Sequence, residues 1–274
     1  PTLLNRDVQT SDKLRLFRLQ RKLKRREWDE LFDGAESTIR EYLASEGFST
    51  AFLERFAEPF YGGITLDRSL ETSSSVFEYT FKALSTGDTA VPKSGMGEIP
   101  RQLADRAETA GASIETGVTV TGIESDGPIV ETDAGDRSPD AVVVATDPNT
   151  AGELTGVETP TGTKACVSVH CSIPDHQKLD TGARIMLNAA DGEPNAIAPM
   201  SAAAPEEAPD GTQLLTATFL GSREESDGAL GKVVRNTLDA WYPEHYFGDL
   251  EVVGVDRIEF AQFEQPPGFR TTIP

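Results

Sequence analysis

Two features of the sequence could take part in chemistry, and the first is a glycine-bearing turn. Gly95 and Met96 stand just before residues 97–110, whose pattern predicts a helix. Glycine lets a backbone approach a ligand closely, and the free amide groups at a helix N-terminus favour an anion. An anion-binding turn is therefore one interpretation, and an ordinary strand-to-helix turn is the other.

The second feature is a lysine and a histidine on one predicted strand. Lys164 opens the segment KACVSVHCSI, and His170 follows at an even offset, which places both side chains on one face. A lysine can hold a water molecule and changes its protonation readily when it is desolvated, which suits a catalytic site. A surface charge for Lys164 and a structural strand histidine for His170 are the alternatives.

The two cysteines belong to the same strand and are not expected to form a disulfide. Cys166 and Cys171 are separated by an odd offset, so their side chains point to opposite faces. Neither forms a CxxC pair, and the neighbouring histidine lacks the spaced partners of a zinc site. We expect two core or half-buried thiols in a reducing compartment and no metal.

The charge balance of the 274-residue chain is strongly acidic. It has 45 acidic and 25 basic residues, a net charge of −20, and only eight lysines against 17 arginines. Nucleic acid is excluded as an expected partner, because phosphate binding needs clustered cations. Adaptation to high salt is our hypothesis, since screening would relieve the self-repulsion. A merely acidic protein is the alternative.

One stretch departs from this acidic composition. Residues 13–26 contain eight cations, which could contact anionic lipid headgroups; a helix with a charged outer face is the alternative. The sequence shows no signal peptide and no apolar run long enough to span a bilayer. We therefore expect a cytoplasmic protein that is at most peripheral at the membrane.

The first 90 residues are predicted to be mostly helical. Apolar spacing indicates helices at residues 13–32, 38–43, 50–56 and 73–84. Thr38 and Glu41 have the spacing of a capping box. Pro59 is expected to end the third helix, and Gly62 and Gly63 to form a turn.

The predicted secondary structure changes at about residue 91, from mostly helical to mixed helix and strand. A helix and short strands lead to the continuous apolar run 141–145, which is typical of a strand covered on both faces and which ends at Thr146. From about residue 159 the pattern predicts antiparallel strands and one helix. The strands are expected at residues 164–173, 184–189, 195–200, 213–220 and 251–261, and the helix at 228–241.

Four stretches together carry a family resemblance. They are residues 59–63 (PFYGG) with 66–67 and 70–74, residues 91–100 (VPKSGMGEIP) with 103–104, residues 116–123 leading to 141–148, and residues 263 and 266–269. In this order and spacing they resemble the phytoene desaturase and flavin-containing amine oxidase superfamily of FAD-dependent oxidoreductases. The resemblance covers most of residues 50–274.

The resemblance implies a fold that is α/β and α+β. A partial FAD/NAD(P)-binding, Rossmann-like domain would be interleaved with a substrate domain of helices and a mainly antiparallel sheet. The expected parts are residues 1–90 (helical substrate domain), 91–155 (partial FAD-binding domain), 156–265 (antiparallel substrate domain) and 266–274 (return to the FAD-binding domain).

The resemblance also implies FAD as cofactor and hydride transfer to it from a C–H bond of a small apolar substrate, as in phytoene desaturase. A flavin amine oxidase, a protoporphyrinogen oxidase-like enzyme and a non-catalytic scaffold without the FAD module are the alternatives. The residues implied beside FAD are Gly95, Met96, Val120, Ala145 and Thr146. Lys164 matches a lysine that in amine oxidases reaches a water near the reactive edge of the flavin.

Several aromatic residues of the helical part could line a chamber for an apolar substrate, although a plain core is the alternative. They are Phe52, Phe56, Phe60, Phe77 and Phe81. The GxGxxG turn that defines the family does not occur in the sequence. We therefore expect this chain alone to be inactive and to bind FAD poorly, and the run at 141–145 to expose apolar groups.

Overall fold

The computed structural model describes residues 9–33, 37–124, 127–177, 179–190 and 192–272. The chain forms two compact units. The helix–sheet unit comprises the residues up to Lys93 together with Thr163–Gly268, and the insert unit comprises Ser94–Gly162 and the residues from Phe269. The sequence placed the three boundaries at 90/91, 155/156 and 265/266.

The first part of the helix–sheet unit is helical, as predicted. Its helices are α1 (Thr10–Lys24), α2 (Ile39–Ser45), α3 (Thr50–Phe52), α4 (Glu58–Thr65) and α5 (Ser74–Thr86), with a 3-10 turn at Asp29–Phe32. The capping box is confirmed: the Thr38 hydroxyl accepts from the Glu41 amide, and the Glu41 carboxylate accepts from the Thr38 amide.

The prediction that Pro59 ends the third helix is wrong. A π-helical turn, Leu53–Ala57, joins α3 to α4, and Pro59 lies in the first turn of α4, where a missing N–H is tolerated. Gly62 and Gly63 therefore lie inside α4 and form no turn. A Cβ on Gly62 would stand 2.8 Å from the Cα of Arg68, so this glycine serves close packing.

The helices share one hydrophobic core, whose members come from all five of them and from the segments between. The buried residues are Leu19, Leu23, Leu31, Ile39, Leu43, Phe48, Phe52, Leu53, Ala57, Tyr61, Leu70 and Phe77. Aromatic rings run through it in contact; for example, the centroids of Tyr61 and Phe77 are 4.6 Å apart.

The insert unit contains α6 (Glu98–Thr109), β1 (Val120–Glu124), β2 (Ile129–Thr132) and α7 (Pro148–Thr155), with β1 and β2 paired antiparallel. The prediction of a covered strand at 141–145 is wrong. The segment is irregular, and Val143 is 90% exposed. No described strand pairs with it, and an apolar run without a ladder partner cannot form a sheet. The strand expected from residue 116 begins only at Val120.

The second part of the helix–sheet unit is an antiparallel sheet, and its predicted strands are confirmed. The elements are β3 (Thr163–Pro174), β4 (Met186–Leu187), β5 (Ala196–Pro199), α8 (Met200–Ala203), β6 (Thr212–Leu220), α9 (Asp227–Trp241) and β7 (Glu251–Phe263). The strand order is β4-β5-β6-β3-β7. Alternate residues of β3, such as Val167 and Val169, pack with Leu230 and Val234 of α9 in a second core.

The cysteines of β3 are free thiols, as expected. Cys171 belongs to the core beneath α9, and burial raises the pKa of its thiol to about 11. Burial also raises the pKa of Cys166. Both residues are inert core positions.

Candidate functional site

Lys164 is mostly buried and paired with a carboxylate. It lies at the start of β3, and its Nζ donates to Oδ2 of Asp67 at 2.9 Å. The side chains of Lys164 and Asp67 are only 19% and 14% exposed. The structure therefore contradicts the interpretation of Lys164 as an ordinary surface charge.

The loop that carries Asp67 has an unusual backbone. Leu66, which ends α4, has a φ of 53°, and Leu70 has a φ of 61°. Left-handed conformations are rare for a bulky non-glycine residue. They are unfavourable, and they persist only where surrounding interactions fix the backbone. Between the two leucines, Asp67 accepts hydrogen bonds from the amide and the hydroxyl of Ser69. The carboxylate is thus fixed on the side of Lys164.

The Asp67 carboxylate remains ionised in this setting. Burial alone would raise its pKa, but hydrogen bonds from Ser69 and Lys164, together with the ammonium charge, outweigh burial and lower the pKa below its usual value. An ammonium group has three donor hydrogens, and Asp67 accepts one. Lys164 can therefore keep its position and still donate to a water or a ligand.

Hydrogen bonds tie α4 and its loop to the sheet. Arg68 donates to the carbonyl oxygen of Asn188 at 2.9 Å and to Oδ1 of Asn195 at 3.0 Å. Asn195 in turn donates to the carbonyl oxygen of Pro59. On the other side, Gln262 of β7 donates to the carbonyl oxygen of Ile64 at 2.7 Å. The Lys164–Asp67 pair consequently sits between anchored elements.

Sequence reasoning missed Asp67, Arg68 and Asn195 as parts of the site. Leu66-Asp67 belongs to a resembling stretch, and this is the one signal that could have found the aspartate. Lys164 and Asp67 are 97 residues apart in the sequence, and Arg68 and Asn195 are 127 residues apart. Pairing over such separations leaves no periodic trace.

His170 has a structural role. Its Nδ1 lies 3.0 Å from the hydroxyl of Thr216, and its Nε2 lies 3.0 Å from Oδ2 of Asp256. Both ring nitrogens are thus satisfied by neighbouring strands, β6 and β7. This agrees with the structural alternative for this residue.

The turn at Gly95 and Met96 differs from the expected anion site. Gly95 has a φ of 83°, which glycine adopts readily. The amide of Glu98 donates to the carbonyl oxygen of Gly95, the amide of Ile99 donates to that of Met96, and Pro100 has no N–H. The prediction of free amide donors is therefore wrong for these positions, because the turn itself consumes them.

The other residues predicted beside FAD are exposed. Val120 is the first residue of β1, and Ala145 and Thr146 precede α7, which packs against β1. Asp147 caps α7 by accepting from the amide of Thr150. These positions fit a nucleotide in part: their backbone is accessible, whereas the first turn of α6 offers little to a pyrophosphate. All five cofactor residues stay predictions.

An apolar cleft opens in the helical part, with a volume of about 430 Å³. It is lined by Lys13, Leu16, Phe17, Gln20, Phe60, Tyr61, Phe81, Leu84 and Ser85. Only some of the aromatic residues that were predicted to line a substrate chamber lie at this cleft. Phe60 and Phe81 line the cleft, whereas Phe52 and Phe77 are buried in the core, and Phe56 stacks on Phe60.

The part of the chain that the structure describes lacks two kinds of feature. It contains no group of three or more His, Cys, Asp or Glu side chains placed to hold a metal ion. None of its helices combines the length and the apolar character needed to cross a membrane.

Helices and an antiparallel sheet are interrupted by an insert of two helices and a β-hairpin, and this architecture resembles FAD-dependent oxidoreductase folds. The chain belongs to the family of flavin containing amine oxidoreductases, whose sequence model matches residues 1–267. The family and the fold class expected from the sequence are thereby confirmed. No curated protein sequence matches the chain.

Solved structures show the same fold. An oxidoreductase from Methanosarcina mazei is 18% identical, with a TM-score of 0.69 over 95% of this chain and 62% of that one. A Pyrococcus furiosus protein is 13% identical, with a TM-score of 0.65 over 89% and 62%. Reduced UDP-galactopyranose mutase is 13% identical, with a TM-score of 0.58 over 96% and 63%. The chain spans less than two thirds of the length of these structures.

Proposed function

We propose that the chain is part of a FAD-dependent oxidoreductase that transfers a hydride from a C–H bond of an apolar substrate to the flavin. Membership of the flavin containing amine oxidoreductase family supports the flavin and the reaction class. Bound FAD would supply the electron acceptor, and the protein would supply binding, orientation and electrostatics.

The observation that carries the proposal is the buried Lys164–Asp67 pair. The ammonium is withdrawn from solvent and held by an ionised carboxylate on a strained, anchored loop. Strained backbone and a desolvated charge pair are typical of functional sites. Lys164 would hold a water at its Nζ, and this water would accept or donate a proton during turnover.

The cleft supports an apolar substrate over an amine. Phe17, Phe60, Phe81 and Leu84 give it apolar walls, and none of its nine lining residues is acidic. A protonated amine in this cleft would lack a counter-charge, whereas a hydrocarbon chain would bury its surface against the rings. Desaturation is therefore favoured over the amine oxidase and protoporphyrinogen oxidase-like alternatives.

The test uses the enzyme expressed from the complete gene and mixed without oxygen with a polyene isoprenoid precursor or with an amine. We expect the precursor to bleach the visible absorption of the flavin and the amine to leave it unchanged. Lys164→Met should slow the bleaching by about 100-fold, in line with the loss of one proton-transfer group. Lys232→Met, at an exposed position of α9, is the matched control.

Two results would contradict the proposal. Bleaching by the amine alone would establish the amine oxidase alternative. A gene product that lacks a GxGxxG turn and binds no flavin would establish the non-catalytic scaffold, because the family binds its dinucleotide through that turn.

A further inference from the structure

We propose that the outer face of α1, with the adjoining part of α5, binds the surface of an anionic phospholipid bilayer. Leu14, Phe17, Arg18, Arg21 and Lys24 are exposed, and each lies three or four residues from another member of the set. Such spacing places them on one stripe of the helix. The opposite stripe, with Leu19 and Leu23, is buried in the helical core.

The stripe has cations that the protein does not use internally. Three other cations of the segment are paired: Arg15 with Asp12, Lys22 with Glu46, and Arg26 with Glu78. By contrast, Arg18, Arg21, Lys24 and Arg25 enter no ion pair among the described residues. The cationic segment ends at Glu27, the first of several acidic residues that follow it in the sequence.

This cationic patch stands out because the whole chain carries a net charge of −20. A protein with that charge is repelled by an anionic surface unless its cations are concentrated on one face. Eight of its 25 basic residues lie within residues 13–26. Charge complementarity therefore indicates that the exposed face of α1 binds a negatively charged partner.

Exposed apolar groups surround the cations and identify the partner as lipid. Phe17 is 62% exposed, and Leu14, Trp28, Tyr79 and Leu84 are exposed as well. The Trp28 ring packs on Tyr79, with centroids 5.3 Å apart, and Lys82 lies 4.3 Å over it. Helices that lie at a membrane interface combine arginine and lysine with Trp, Phe and Leu in this way. A nucleic acid backbone would leave the apolar groups exposed.

The apolar cleft opens on the same face. Phe17 and Leu84 belong both to the exposed patch and to the cleft wall. Docking would therefore place the mouth of the cleft against the hydrocarbon boundary. An apolar molecule could then enter without crossing water, a step that rests on the proposed function, whereas the docking itself does not.

The test is co-sedimentation of the 274-residue chain with vesicles of phosphatidylglycerol and phosphatidylcholine, compared with phosphatidylcholine alone. We expect strong binding to the anionic vesicles at low salt and weaker binding at molar KCl, where the screening length shortens to about 3 Å and the exposed apolar side chains hold what remains. The double variant Arg18→Glu with Arg21→Glu should lower the partition coefficient at least about tenfold. Its matched control, Arg106→Glu with Arg184→Glu, makes the same charge change at exposed positions elsewhere and should leave binding within about twofold.

A second pair of variants tests the apolar contribution. Phe17→Ser should weaken vesicle binding, and Val253→Ser should not, although the two native side chains are equally exposed at 62% and 63%. Circular dichroism checks that all variants fold. The proposal is overturned if anionic vesicles do not bind the chain, if a DNA duplex binds instead, or if light scattering shows a dimer that Phe17→Ser dissociates.

Discussion

The helix–sheet unit and the insert unit differ in what holds them together. The first has two hydrophobic cores, one among its helices and one between its sheet and α9. In the second, residues 94–124 and 127–162 contain no buried side chain, and Phe269 is the one buried residue among those that the structure describes in this unit. A segment that buries so little apolar surface gains little from the hydrophobic effect. Stability in the insert unit must therefore come from local hydrogen bonds and from whatever covers it.

Charge is distributed just as unevenly. Residues 94–162 contain 13 acidic and three basic residues, a net charge of −10, which is half of the −20 of the whole chain. This segment is only about a quarter of the length. The insert unit therefore combines the weakest burial with the densest self-repulsion, and its order should respond to solution conditions more than that of its neighbour.

The largest expected effect is a core truncation in the helix–sheet unit. Phe77 is fully buried, with the rings of Tyr42, Tyr61 and Phe81 within 6 Å of its own. Phe77→Ala should lower the free energy of unfolding by about 3–5 kcal/mol in urea titrations. Val143→Ala in the insert unit should change it by less than about 0.5 kcal/mol. Similar losses from both would show that the insert has a core of its own.

The next effect concerns two glycines with opposite surroundings. A Cβ on Gly62 would meet the Arg68 backbone at 2.8 Å, whereas a Cβ on Gly97 would have nothing within 4 Å. Gly62→Ala should cost about 1–3 kcal/mol, because two anchored backbones must separate. Gly97→Ala should be neutral or stabilise by up to about 1 kcal/mol. Thermal unfolding distinguishes them, and a neutral Gly62→Ala would contradict the tight contact.

The third effect depends on pH. The pKa of Asp67 is lowered in the folded state, so its stabilising contribution is present above the unfolded pKa of about 3.9 and is lost as pH falls through the folded pKa. Lys164→Met should lower the free energy of unfolding by about 1–2 kcal/mol at neutral pH, less than for a fully buried pair. The difference should shrink at acid pH as Asp67 becomes protonated. A difference that is constant across a pH series of urea titrations would rule out the ion pair as its cause.

The smallest effect, spread over many residues, is that of salt. We propose that the chain is adapted to high salt, because its acidic surface is dense and its lysines are few. Raising KCl to molar concentrations should raise the melting temperature by screening the repulsion. In hydrogen exchange, the amides of the insert unit should gain more protection than those of the sheet core. Equal gains in both units would show that the insert unit is no more sensitive to salt than the helix–sheet unit, and no gain would reject the adaptation.

Elements that bury a face of their own were predictable from the sequence. The periodicity of α5 and α9 and the alternation of β3 and β6 record which side is covered, and the capping box at Thr38 is a local code. These patterns are reliable because the core that each buried face packs against belongs to the same unit.

The failures share a different cause. The run at 141–145 reads as a covered strand, yet no described strand pairs with it, and Val143 is 90% exposed. Pro59 and Gly62 read as breakers, yet a preceding π turn and a close backbone contact accommodate them. A missing ladder partner, a π turn and a backbone contact with Arg68 leave no periodic pattern of side chains in the sequence. The same holds for Asp67, whose role depends on a strand 97 residues away.

The π-helical turn at Leu53–Ala57 has a consequence for the aromatic rows on either side of it. A π turn holds one residue more than an α turn, so α3 and α4 are out of phase by about 100°. Deleting a single residue from it would restore a continuous α-helix and rotate Phe60 and everything beyond it by that angle. The direction in which the cleft faces is thus encoded by one extra residue in the helix.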